Sequence, residues 1–169
     1  MLLFAACAPA LSRSLPPAAQ LPAAPLVTID GDPADLVSMV RGRAAIISLW
    51  ATWCDACSAE IGALNRLDEQ ASSRGDALVV GVAVGEPRAK VAEFARERGV
   101  KYARLVDEDF RLADALGERR VPTTLVVDRS GRIVYRGGAL DAAGLAAFRN
   151  ALGALTREAK PEDQKIGED

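Results

Sequence analysis

The sequence predicts an α/β fold: a mixed central β-sheet with helices on both faces. Three observations carry this expectation. Residues 44–50 (AAIISLW) and 77–84 (ALVVGVAV) are unbroken apolar runs with β-branched residues, the pattern of strands buried on both faces. Helix-periodic segments alternate with them, as parallel strands joined by crossover helices require. Near the C-terminus two strand-like runs within 123–137 (TTLVVDRSGRIVYRG) are joined by DRSG, a hairpin turn that puts Gly131 where positive φ is easiest.

Taken in order, LVTIDGDPADLVSMVRGR from Leu26 reads as a short strand, a turn at Asp30–Pro33, and a helical turn around Leu36, Val37, Met39 and Val40 that stops at Gly42. After the strand at 44–50, Ile61, Leu64 and Leu67 recur at helical spacing until SSRGD closes the helix at Gly75. The strand at 77–84 leads into a helix with Pro87 near its first turn, Val91, Phe94 and Ala95 on one face and Gly99 as its stop. Residues 103–109 give a short strand and turn, and FRLADALG a short helix capped by Gly117. A last helix follows the hairpin, with Asp141 as its N-cap. No internal repeat is visible. The domain is expected over 26–155, after an Ala/Pro-rich linker-like segment (1–25) and before a polar tail (156–169) whose composition suits disorder.

Composition narrows the chemistry. Net charge is −2 with no basic block, so nucleic acid has no electrostatic footprint here. Histidine is absent, which removes the commonest general base and the commonest zinc ligand. The cysteines are Cys7, Cys54 and Cys57, too few for a disulfide framework. One CxxC supplies two of the roughly four ligands of structural zinc, so no metal is expected. Ser58 stands where covalent haem attachment needs histidine. What remains is a pair that opens and closes, or two inert buried thiols. The pair follows a buried strand and opens a helix, where unpaired N–H groups and the helix dipole stabilise thiolate. On that geometry Cys54 is the nucleophile and Cys57, one turn on and expected to be less exposed, resolves the mixed disulfide.

WATWCDAC (50–57) after a buried strand, with VPTT (121–124) before another, resembles the thioredoxin superfamily, and in detail its TlpA-like, ResA-like branch of exported thiol-disulfide oxidoreductases. The resemblance runs from about Leu26 to Leu155 and implies a thioredoxin-like three-layer sandwich. It implies that Pro122 is cis beside the cysteines and that Val121, Pro122 and Thr123 dock a substrate peptide in β-like pairing. An ordinary trans proline opening a strand is the other reading. It assigns Trp53 to the flat apolar surface by the site, while Trp50, ending the buried strand, reads as core. Glu60 matches a glutamate of the cytochrome c maturation reductases and would handle the proton that Cys57 must lose. By chemistry alone it reads equally as a solvated first-turn carboxylate serving the helix dipole.

Departures from the family are informative. Ser48 replaces thioredoxin's buried aspartate, which favours the TlpA-like branch. Gly62 replaces a proline that usually follows the glutamate. Ala56 replaces the proline between the cysteines and restores an N–H that favours thiolate, while Asp55 places an opposing negative charge beside Cys54. A peroxiredoxin's PxxxTxxC is missing, since Ile47 and Ala51 hold the Pro and Thr positions.

The resemblance thus implies a reductase of protein disulfides outside the cytoplasm, with the Cys54–Cys57 disulfide as its redox group, no other cofactor, and a membrane electron donor. A disulfide oxidase or isomerase, or a non-catalytic peptide-binding module, are the alternatives. LLFAAC (2–7) resembles the end of a bacterial lipoprotein signal, which would make Cys7 a lipid anchor. The basic region of such a signal is missing, so an incidental cysteine in an unstructured terminus stands beside that reading.

Overall fold

A computed structural model describes residues 19–153. The elements are β1 (Leu26–Thr28), β2 (Pro33–Ala34), α1 (Leu36–Val40), β3 (Ala44–Trp50), α2 (Asp55–Arg74), β4 (Ala77–Val84), α3 (Arg88–Glu97), β5 (Ala103–Asp107), α4 (Arg111–Leu116), β6 (Thr123–Val127), β7 (Ile133–Gly137) and α5 (Ala142–Gly153). The strands form one sheet in the order β2-β1-β5-β4-β3-β6-β7. β3, β4 and β5 run parallel, and β6, β7, β1 and β2 add antiparallel neighbours on the two sides. This is the thioredoxin-like α/β sandwich expected.

Strand alternation divides the core into layers. Ala45, Ile47, Leu49, Val80 and Val82 face Leu36 and Val40 of α1 and Leu112 and Leu116 of α4. Ala44, Ile46, Val79 and Val126 face Ile61 and Leu64 of α2 and Phe148 and Ala151 of α5. Every residue of β3 is buried, which fixes its register and makes its C-terminal end a firm platform for the turn that carries Cys54. Gly81, opposite Ser48 in the β3–β4 pairing, leaves room for two rings. A Cβ there would lie 2.6 Å from Tyr102 Cε2 and 2.8 Å from Trp50 Nε1.

Two features differ from expectation. Pro33, read as the end of a turn, forms with Ala34 a two-residue strand that pairs with β1. Contacts with the sheet also begin earlier than the boundary expected at Pro25. Ile133 N–H donates to the Ala19 carbonyl and Leu21 N–H to the Gly131 carbonyl, and the Leu21 side chain is buried in the core cluster that also holds α1 and β3 residues. The Ala/Pro-rich composition around Leu21 hides one apolar anchor. Cys7 and the tail after Gly153 lie outside the described residues.

Candidate active site

The cysteine pair sits where β3 ends, at the C-terminal edge of the parallel strands, where α/β sheets commonly place their sites. A turn spans Ala51–Cys54, closed by the Cys54 N–H on the Ala51 carbonyl (3.1 Å). Cys54 is the N-cap of α2, with extended backbone, and its Sγ accepts the Cys57 N–H at 3.1 Å. Sulfur therefore holds the capping place that an oxygen usually fills, facing the positive end of a long helix. Cys54 and Cys57 are joined as a disulfide with a Cα–Cα distance of 5.2 Å.

The expected difference in exposure between the cysteines is absent in this disulfide form. Cys54 is 6% and Cys57 5% exposed, and both belong to one buried cluster with Trp50, Ala51, Ala83, Val91 and Val106. What distinguishes Cys54 is its cap position. Trp53 is 68% exposed, whereas Trp50 is buried with its ring 5.5 Å from Phe94.

On the other side of the site the Val121–Pro122 peptide is cis. Val121 and Pro122 are half-buried, and Val121 packs against the cluster that holds the cysteines. Their loop is held locally: the Glu118 carboxylate accepts the Arg120 N–H (3.0 Å), and the Thr123 hydroxyl donates to the Arg120 carbonyl (2.8 Å). Thr123 is 2% exposed, so its side chain braces this loop from inside and is not presented to a docking peptide.

Glu60 lies one turn beyond Cys57, half-buried, with Oε1 accepting the Leu140 N–H at 2.5 Å. Burial pushes its pKa above the ordinary 4.5, and the Leu140 bond offsets only part of that. The loop carrying Leu140 also reaches the strand that follows the cis-proline, since the Thr124 N–H donates to the Gly138 carbonyl at 3.0 Å.

Sequence reasoning missed Glu86. It follows β4, is 5% exposed, and accepts the Thr52 N–H and the Thr52 hydroxyl, each at 2.6 Å, on its two oxygens. Lys90 Nζ donates to it at 2.7 Å. Burial opposes its charge, but Lys90 and the two Thr52 bonds outweigh it, and the Glu86 pKa falls below 4.5. A carboxylate two residues past the end of a buried parallel strand was the available signal. Among the described residues no group of three or more His, Cys, Asp or Glu is placed to hold a metal.

The site is thus a CxxC disulfide at the N-terminus of the helix that follows the central strand of a thioredoxin-like fold. The chain belongs to the Redoxin family, whose model matches residues 11–155. It is 30% identical over 93 residues to the thiol-disulfide oxidoreductase ResA of Geobacillus thermodenitrificans, covering 55% of this chain and 53% of that protein. It is 35% identical over 99 residues to the thiol:disulfide interchange protein DsbE of Escherichia coli K12, covering 58% and 51%. The chain thus spans about half the length of these curated relatives. A crystal structure of a thiol:disulfide interchange protein of the thioredoxin family from Chlorobium tepidum superposes with a TM-score of 0.68 at 27% identity, covering 83% of this chain and all of that one.

Proposed function

We propose that this protein is a thiol-disulfide oxidoreductase that reduces disulfides of protein substrates outside the cytoplasm, in the manner of the cytochrome c maturation reductases. The observation that carries the reading is the Cys54–Cys57 disulfide at the N-terminus of α2, with the Cys57 N–H on Cys54 Sγ.

From the reduced pair, the Cys54 thiolate attacks one sulfur of the substrate disulfide. That S–S bond breaks, and the leaving substrate thiolate takes a proton. Cys57, having given up its proton, then attacks the Cys54 sulfur and releases the second substrate thiolate, which is protonated in turn. The substrate gains two electrons and two protons, and the enzyme is left with the Cys54–Cys57 disulfide. A dithiol electron donor, which we assign to a membrane protein, restores the reduced pair by the reverse exchange. No other cofactor takes part.

Glu60, with its raised pKa and its place one turn from Cys57, is suited to take the resolving thiol's proton. Trp53 offers an apolar contact surface, and the backbone of Val121 and Pro122 an extended edge for a substrate strand. The extracytoplasmic placement rests on resemblance to the exported branch and on Cys7, which we assign as a lipid anchor. Among the described residues no helix is long and apolar enough to cross a membrane.

Equilibration of the pair against dithiothreitol buffers, with a thiol-mass readout, tests the direction of electron flow. A reductase gives a midpoint at or below that of thioredoxin, about −270 mV. A midpoint near that of the oxidant DsbA, about −120 mV, rejects the reductase and leaves a disulfide-forming enzyme.

A further inference from the structure

We propose that Glu86 is a positioning residue for Cys54: its carboxylate locks the Ala51–Cys54 turn so that the Cys54 sulfur stays on the Cys57 N–H when the disulfide opens. The proposal rests on the thiol-exchange function of the cysteine pair and adds a residue to it from a different strand end.

The geometry is specific. Ala51 is fully buried and its carbonyl accepts the Cys54 N–H, so both ends of the turn are fixed. Thr52 and Trp53 are its inner residues. Glu86 takes both donors of Thr52, one on each carboxylate oxygen, and leaves the exposed Trp53 free to meet substrate. A buried carboxylate is costly to keep unless it is paired, and Lys90 of α3 pairs this one. Removing it leaves the donors of half-buried Thr52 without their acceptor and frees the turn to pivot.

In the disulfide form the covalent bond also holds the Cys54 sulfur. Once reduced, the Cys54 carbonyl stays on the Ser58 N–H of α2 (3.1 Å), but the backbone leading into Cys54 is held only by the turn, which keeps the thiolate at the helix N-terminus where the Cys57 N–H gives it a charge-assisted bond. Charged groups on the elements packed against the cysteines include Asp55 and Glu60 on α2, Glu86 after β4, Lys90 on α3, Asp107 at the end of β5, and the paired Glu118 and Arg120 before Val121. Glu86 and Lys90 compensate each other, so the clamp holds the turn with little net charge opposing the thiolate.

The test is the pH dependence of Cys54 alkylation by iodoacetamide in a reduced Cys57→Ser background. Peptide-level mass spectrometry separates Cys54 from Cys7. With Glu86→Gln the midpoint is expected to rise by about 0.5 pH unit and the rate at pH 7 to fall about threefold. Thr52→Val, which removes one of the two donors, moves the midpoint the same way by less. A midpoint that falls means Glu86 acts on the thiolate only through its charge. A midpoint that stays, with lowered thermal stability, means it serves the fold alone. Either result overturns the proposal. If Glu86→Gln does not fold, Thr52→Val decides by the same criterion. The assay needs no protein substrate: a wild-type pair that never closes rejects the function reading, while an unmoved midpoint beside a working wild-type pair rejects only the role of Glu86.

Discussion

Two carboxylates flank the cysteine pair, and their surroundings give them opposite characters. Glu86, on the β4 side, holds a cation, a hydroxyl and an amide. Glu60, on the α5 side, has one neutral amide donor. Burial works against charge on both, yet the Glu86 pKa lies below the ordinary value and the Glu60 pKa above it. Partners, more than burial, decide whether a carboxylate near a reactive sulfur serves as a fixed clamp or as a group that exchanges a proton. Glu86 holds the loop before Cys54 through Thr52, and Glu60 stands one turn beyond Cys57, where the proposed mechanism has the proton leave.

The largest effect is expected at the two sulfurs that the carboxylates flank. Cys57→Ser removes turnover, because the mixed disulfide on Cys54 has no internal thiol to resolve it. Incubation with a protein disulfide then accumulates a covalent adduct that dithiothreitol releases, visible on a non-reducing gel. Cys54→Ser removes turnover and gives no such adduct. An adduct on Cys57 in the second variant would reverse the assigned roles.

The next effect separates the two carboxylates. Glu60→Gln keeps the size of the side chain and its ability to accept the Leu140 N–H, but it takes up no proton. Steady-state reduction of a protein disulfide is expected to slow by roughly a hundredfold, the low end for general acid–base groups, with a smaller change in KM. Glu86→Gln is expected to slow the same assay far less. Equal losses in the two variants would erase the distinction between clamp and proton carrier.

Legibility in the sequence tracks contact range. The cysteine pair, its helix and the buried strands on either side are local patterns, and β3 is buried along its whole length as its composition requires. The hairpin turn and the Asp141 cap are local too: the Gly144 N–H donates to Asp141 at 2.8 Å. β2 was not legible, because two residues beginning with proline carry no strand signal and pair only once β1 is in place. The carboxylate partners were hidden for a different reason. Glu86 meets Thr52 across 34 residues and Glu60 meets Leu140 across 80, so neither contact leaves a spacing to read. Glu60 was visible only through its motif, and its tether to the α5 loop through nothing at all. Glu86 had no motif, only its place just past β4.

The smallest effect lies in the pH dependence of stability, and here the two carboxylates act with opposite sign. Glu86 has a lowered folded-state pKa, so the stability it contributes is present above about 4.5 and is lost as pH falls through that region toward its folded value. Glu60 has a raised one. Between about 4.5 and its folded value the native state binds more protons than the unfolded chain, so its contribution falls as pH rises through that window. Urea unfolding of the oxidised protein at a series of pH values is expected to show Glu86→Gln flattening the acid-side loss, and Glu60→Gln flattening the decline above 4.5. Lys90→Met, which removes the exposed cation from Glu86, is expected to weaken the acid-side slope without touching the other. If both glutamine variants change the slope in the same direction, the contrast in partners does not govern their protonation, and burial alone sets both groups.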